Sequence, residues 1–156
     1  YYQVTPNATS GGLTAYVGIH LEVAPLGRLG NTSSRLTLKA GADIQIFGFV
    51  VSGTQPKRML LRAVGPSLAP MGVPTPAAQP RLKLYDAQGQ AIDTTPTSVP
   101  SWSAIFASAG AFELSGGEDP SQTCIVKSLA PGVYTVHVSD ATAQGGNVLI
   151  EVYELP

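Results

Sequence analysis

Residues Leu13 to Val23 read Leu-Thr-Ala-Tyr-Val-Gly-Ile-His-Leu-Glu-Val, an alternation that puts Leu13, Ala15, Val17, Ile19, Leu21 and Val23 on one face of an extended strand. A spacer containing Pro25, Gly27 and Gly30 separates this segment from the rest of the chain. Beyond the spacer, short apolar runs recur at Arg35 to Lys39, Ile44 to Val51, Arg58 to Val64, Arg81 to Tyr85, Ala111 to Leu114, Thr123 to Lys127, Val133 to Ser139 and Val148 to Tyr153. Within Val133 to Val138, Tyr134, Val136 and Val138 share one face. In the last run Val148, Ile150 and Val152 oppose Leu149, Glu151 and Tyr153. Ile44 to Val51 has bulky apolar side chains on both faces, which predicts a place near the middle of a sheet.

Turn residues punctuate these runs. Asp86-Ala-Gln-Gly89 suits a tight connection with Gly89 at positive φ, Ala130-Pro131-Gly132 suits a type II turn, and Gly145-Gly146-Asn147 precedes the last strand. Helical patterning is confined to Pro66 to Met71 and to Ser101 to Ser108, the second with Ser101 as N-cap. Both are expected as single-turn plugs at the ends of a sandwich. The pattern as a whole predicts an all-β, antiparallel β-sandwich of jelly-roll or Ig-like type with about 8–9 strands. The expected organisation is an extension over residues 1–27 and a sandwich over 28–156.

Composition narrows the function. The 156 residues carry 12% charged side chains and a net charge of -1, with 17 Gly and 13 Pro. Nucleic acids and anionic membranes need clustered positive charge and are poor partners for such a chain. No stretch approaches the roughly 20 apolar residues of a membrane span, so membrane insertion is not expected. The chain opens at Tyr1 and not at Met, as expected of a secreted, mature product whose export signal has been removed.

The strings Arg28-Leu29-x-Asn31-x-Ser33-x-Arg35, Gly48-Phe-Val-Val-Ser-Gly53, Lys57-Arg-Met-Leu-Leu-Arg62-Ala-Val-Gly-Pro-Ser-Leu68, Leu82-x-Leu-Tyr-Asp86-x-x-Gly89, Leu129-Ala-Pro-Gly-Val-Tyr-Thr135 and Val148-Leu-Ile-Glu-Val-Tyr-Glu154 carry a resemblance. From Arg28 onward the chain resembles a β domain that recurs, often at the C-terminus, in large exported proteins of Verrucomicrobia and related bacteria. The resemblance implies an extracellular β-sandwich module of adhesive or surface-associated proteins and attaches no chemistry to particular residues. Here only the short extension precedes Arg28, and that departure shifts the expectation from accessory module to polymer subunit.

Catalytic chemistry finds little support in the residues, and no catalytic, cofactor-binding or metal-ligating set is expected. His20 and His137 alternate with polar neighbours and are expected to face solvent. Two histidines fall short of the ligands a zinc site needs. Gly65-Pro-Ser67-Leu-Ala lacks the second glycine of a nucleophile elbow, making Ser67 a turn hydroxyl. Gly116-Gly-Glu-Asp119 and Asp86 to Gly89 lack calcium-loop spacing. Arg58 and Arg62 share a strand face and are expected to cap carbonyls or pair with carboxylates. Trp102 and Phe106, at i and i+4, read as core packing. Cys124, in an apolar run, reads as core. Asn7 and Asn31 head sequons.

The apolar face of Leu13 to Val23 is therefore the strongest lead. Burying it does not by itself offset the ordering of its backbone, so stable docking also needs ladder hydrogen bonds and a preformed groove. If each copy gives and receives such a strand, the contact is head-to-tail and propagates as a filament. The expected partner is thus the chain itself, in an extracellular, pilus-like homopolymer at the cell surface. The alternatives are folding of the strand back onto its own domain, and a monomeric secreted module that binds a carbohydrate or cell surface through loops near Trp102.

Overall fold

A computed structural model describes residues 30–92 and 101–156, together with the backbone pairing of two short strands, β1 (Tyr2–Gln3) and β2 (His20–Leu21). The pair β1–β2 is antiparallel, with Tyr2 opposite Leu21 and Gln3 opposite His20. The other residues of the alternating segment, Leu13, Ala15, Val17, Ile19 and Val23 among them, lie outside the described residues, as does Asn7.

From Asn31 onward eight strands succeed one another: β3 (Asn31–Leu38), β4 (Gln45–Val51), β5 (Lys57–Val64), β6 (Pro80–Tyr85), β7 (Ala91–Ile92), β8 (Cys124–Leu129), β9 (Gly132–Asp140) and β10 (Gly146–Glu154). They form two four-stranded sheets, ordered β3-β10-β5-β8 and β4-β9-β6-β7. Every strand pair in both sheets is antiparallel. Apart from the β6–β7 pair, consecutive strands alternate between the sheets. This is the double Greek-key winding of a jelly roll, so the chain is an all-β sandwich as the alternation predicts.

The two inner faces meet in a core of Leu38, Val51, Met59, Leu61, Ala63, Leu84, Ile125, Leu129, Tyr134, Val136, Val138, Val148, Ile150 and Val152. These are the inward positions of period-2 strands, including the Tyr134, Val136, Val138 and Val148, Ile150, Val152 sets that the pattern singles out. Tyr134 donates its hydroxyl to the Ala130 carbonyl at 2.8 Å, fixing the β8–β9 connection.

Four expectations are corrected. Ala111 to Leu114 is not a strand. It is an irregular segment that comes after helix α1 (Trp102–Ala109), with Ala111 and Leu114 packed in the same cluster as that helix. Helix α1, capped by the Ser101 hydroxyl, is not an end plug. Its Ile105 and Phe106 pack with Leu60, Cys124, Tyr153 and Leu155 on the outer face of the β3-β10-β5-β8 sheet, forming a second core. Gly132 is not in the left-handed region that a type II turn would give it, because it already pairs with Val51 as the first residue of β9. Finally β4, expected at the middle of a sheet, stands at an edge among the described strands, where it pairs with β9. The turns at Gly89 and Gly145-Gly146 do take positive φ.

Candidate functional site

The Arg62 to Leu68 string is structural. Val64 ends β5, and a short 3-10 turn over Pro66–Met71 succeeds it, with Pro66 preset for its first position. Glu118 reaches back to this turn and accepts from the Gly65 amide at 2.9 Å and the Ser67 amide at 3.0 Å. The Ser67 hydroxyl donates to the Ser115 carbonyl at 3.0 Å and accepts from its amide at 2.7 Å. Fully buried and doubly bonded, Ser67 is a turn hydroxyl, as its sequence context predicts. Gly65 is obligatory for packing, since a Cβ there would lie 2.2 Å from the Ala77 carbonyl oxygen.

Arg62, with 0% exposure, is the most deeply placed charge among the described residues. Its Nε lies 3.0 Å from Glu151 Oε2, and its Nη1 donates to the Phe112 carbonyl at 2.7 Å. The guanidinium is clasped between the rings of Phe106 and Phe112, with centroids 4.6 and 4.5 Å away. Tyr153 donates its hydroxyl to Glu151 at 2.7 Å; burial, then that bond and the carboxylate charge, push its titration upward. Burial likewise pushes the Cys124 thiol up to about 12, which leaves it protonated and unreactive at neutral pH. The cluster thus fastens helix α1 and the segment after it to the sheet, and Arg62 both caps a carbonyl and pairs a carboxylate. Arg58, on the same strand, is exposed.

The remaining sequence candidates disperse. His137 is half-buried, not solvent-facing, because its ring lies against Tyr85 at 4.2 Å between centroids. The side chain of His20 lies outside the described residues. Trp102 is half-buried and packs on Phe106 at 6.0 Å between ring centroids. Asn31 is exposed at the start of β3. Among the described residues no three His, Cys, Asp or Glu side chains gather as a ligand set. Nor is any described helix long and apolar enough to cross a membrane.

What the sandwich does present is an open flank. β3 and β4 are consecutive strands at the edges of opposite sheets, so both edges lie on one side of the molecule. Along that side Leu36, Phe47 and Phe49 reach the core but stay half-buried. A cleft of about 390 Å³ opens at the end of this flank, lined by Gly30, Asn31 and Thr32 from the start of β3, Phe49 to Ser52 from the end of β4, and Lys57, Met59, Val152 and Glu154. On the outer face of β4, Ile46 is 60% and Val50 67% exposed, with Ile44 and Val133 also exposed beside them. This apolar strip escapes a reading of the sequence, because an exposed edge strand and a buried central one share the same composition.

No protein-family model and no curated protein matches the chain.

Proposed function

We propose that this protein is a structural subunit of an extracellular, pilus-like filament, in which Leu13 to Val23 of one copy adds as a strand to the sandwich of the next. The observation that carries the reading is that every described strand of the two four-stranded sheets comes after residue 30, while the described part of the segment, His20–Leu21, pairs with Tyr2–Gln3. A strand with a continuous apolar face gains both ladder hydrogen bonds and a dry surface by completing a neighbour's sheet. Because donor and acceptor are different surfaces, the contact repeats head-to-tail.

The composition suits the role: few charges, many turn residues, and a Cys124 that cannot cross-link while the domain is folded. The resemblance from Arg28 onward, to domains of exported surface proteins, supports a location outside the cell.

Negative-stain electron microscopy of the purified protein tests the reading. Filaments that disappear when residues 1–26 are removed, with the sandwich still folded, are the expected result. Dispersed monomers at all concentrations would favour a secreted binding module instead, and filaments formed without residues 1–26 would refute strand donation.

A further inference from the structure

Resting on the strand-donation reading, we infer that the acceptor is the edge of β4, Gln45–Val51, that no described strand pairs, and that Leu13 to Val23 of a second copy runs antiparallel along it.

Among the described strands the sandwich offers four lateral edges, at β3, β8, β4 and β7, the last described over Ala91–Ile92, and two of them are guarded. β8 has its outer face packed against α1, Cys124 and Val126 lying with Ile105 and Phe106, and it carries the charge of Lys127. β3 is largely polar, reading Asn-Thr-Ser-Ser-Arg-Leu-Thr-Leu, with Arg35 at its middle. Charges, short length and cover are the ordinary means by which a sheet edge is kept from pairing. β4 has none of them: its seven residues, Gln-Ile-Phe-Gly-Phe-Val-Val, contain no charge and no proline, and its outer face leaves Ile46 and Val50 in solvent.

The inner side of the same edge has unfilled room. Phe47, Phe49 and Leu36 lie half-buried along the flank, and the cleft beside Val51 continues it. In the register that centres the segment on β4, Gly18 stands opposite Gly48, and Val17 and Ile19 point inward beside Phe49 and Phe47. The outward positions Tyr16 and His20 then flank Val50 and Ile46.

The point where the extension joins the sandwich selects a second copy as the source of the strand. Gly30 and Asn31 line the cleft together with Val50 and Val51, so the extension departs from the C-terminal end of β4. For a chain's own segment to run antiparallel to β4, Val23 would have to sit at the far, Gln45 end. The seven steps from Val23 to Gly30 span at most about 25 Å, and in this register Val23 falls opposite Asp43, about 24–27 Å along the chain from the Val50–Val51 end of the cleft. The linker would therefore be stretched to its limit, whereas a relaxed one allows only a parallel strand, in a sheet whose pairs are all antiparallel. A strand from another subunit meets no such restriction. Among the described residues, the β1–β2 pairing uses one lateral side of the segment at His20–Leu21.

Disulfide trapping in the full chain tests the assignment. A Cβ at Gly48 meets nothing closer than the Tyr134 carbonyl oxygen at 3.9 Å, so Gly48→Cys is accommodated, and the buried Cys124 stays out of the reaction. Gly48→Cys combined in turn with Tyr16→Cys, Gly18→Cys and His20→Cys, oxidised after assembly, is expected to give ladders of covalent multimers on non-reducing gels. Gly18→Cys should be the most efficient, and the inward controls Val17→Cys and Ile19→Cys should give at least tenfold less. Ladders with Arg35→Cys on β3 in place of Gly48→Cys, or none from either series in assemblies that require residues 1–26, would overturn the β4 assignment while leaving strand donation intact. Assemblies that persist without residues 1–26 would instead sink the underlying reading.

Discussion

Arg62 shows at the scale of one residue why a buried charge is retained in a chain with so few. Its guanidinium is paired by Glu151, capped by the Phe112 carbonyl and covered by two rings, so its removal strands a carboxylate in the interior. Arg62→Ala is expected to cost about 3–5 kcal/mol in urea unfolding, with Arg62→Met costing less than Ala because it keeps the packing. Asp140 offers a pH test. Burial raises its carboxyl, but bonds from the Thr142 hydroxyl and the Gln79, Thr142 and Gly145 amides outweigh that and hold it below its ordinary value of 3.8. A carboxylate whose titration is lowered by folding stabilises the fold above the unfolded value, and the stabilisation fades as pH falls through the folded one. Asp140→Asn should therefore unfold more readily by about 1–3 kcal/mol at pH 7, and the difference from the parent should shrink below the ordinary carboxyl range, as denaturant melts at several pH values would record. Thiol titration at neutral pH should find Cys124 unreactive until denaturant is added, since its thiol is both buried and raised to about 12.

Among the elements, the β5 end and its turn are the least tolerant of change. Gly65→Ala drives a methyl into the Ala77 carbonyl and should lower the melting temperature far more than Gly48→Ala, where the nearest atom is 3.9 Å away. Helix α1 is held by Ile105 and Phe106, and Phe106→Ala is expected to cost about 3–5 kcal/mol and to expose the Arg62 cluster. Circular dichroism melts compare all three variants. The elements also show where sequence is a sufficient guide. Period-2 alternation locates β9 and β10, and Ser101 marks the start of α1, because these signals arise from local backbone geometry. Ala111 to Leu114 misled, since its apolar residues serve a helix-backed cluster and not a ladder. Ile44 to Val51 was legible as a strand but not as an edge, a property that belongs to its neighbours.

For the molecule as a whole, removal of residues 1–26 is expected to leave an unfolding transition close to that of the parent, because among the described residues both sheets and both hydrophobic clusters are composed of residues after 30. Size-exclusion chromatography and thermal melts of the truncated and full chains make that comparison. A jelly roll wound entirely from antiparallel pairs leaves two edges on the β3–β4 side, one polar and one apolar, and it is their inequality that gives the molecule a direction in which to associate.

The sequence by itself determined the class of fold, the faces of most strands, the tight glycine turns and the absence of clustered charge, since each arises from side-chain periodicity or the φ freedom of single residues. The tertiary structure alone decided that β4 lies at an edge, that Arg62 and Glu151 meet beneath α1, and that Glu118 closes the Gly65 to Ser67 turn. Those depend on which distant segments the double winding brings side by side, and separations of 51 to 89 residues leave no local trace in the chain.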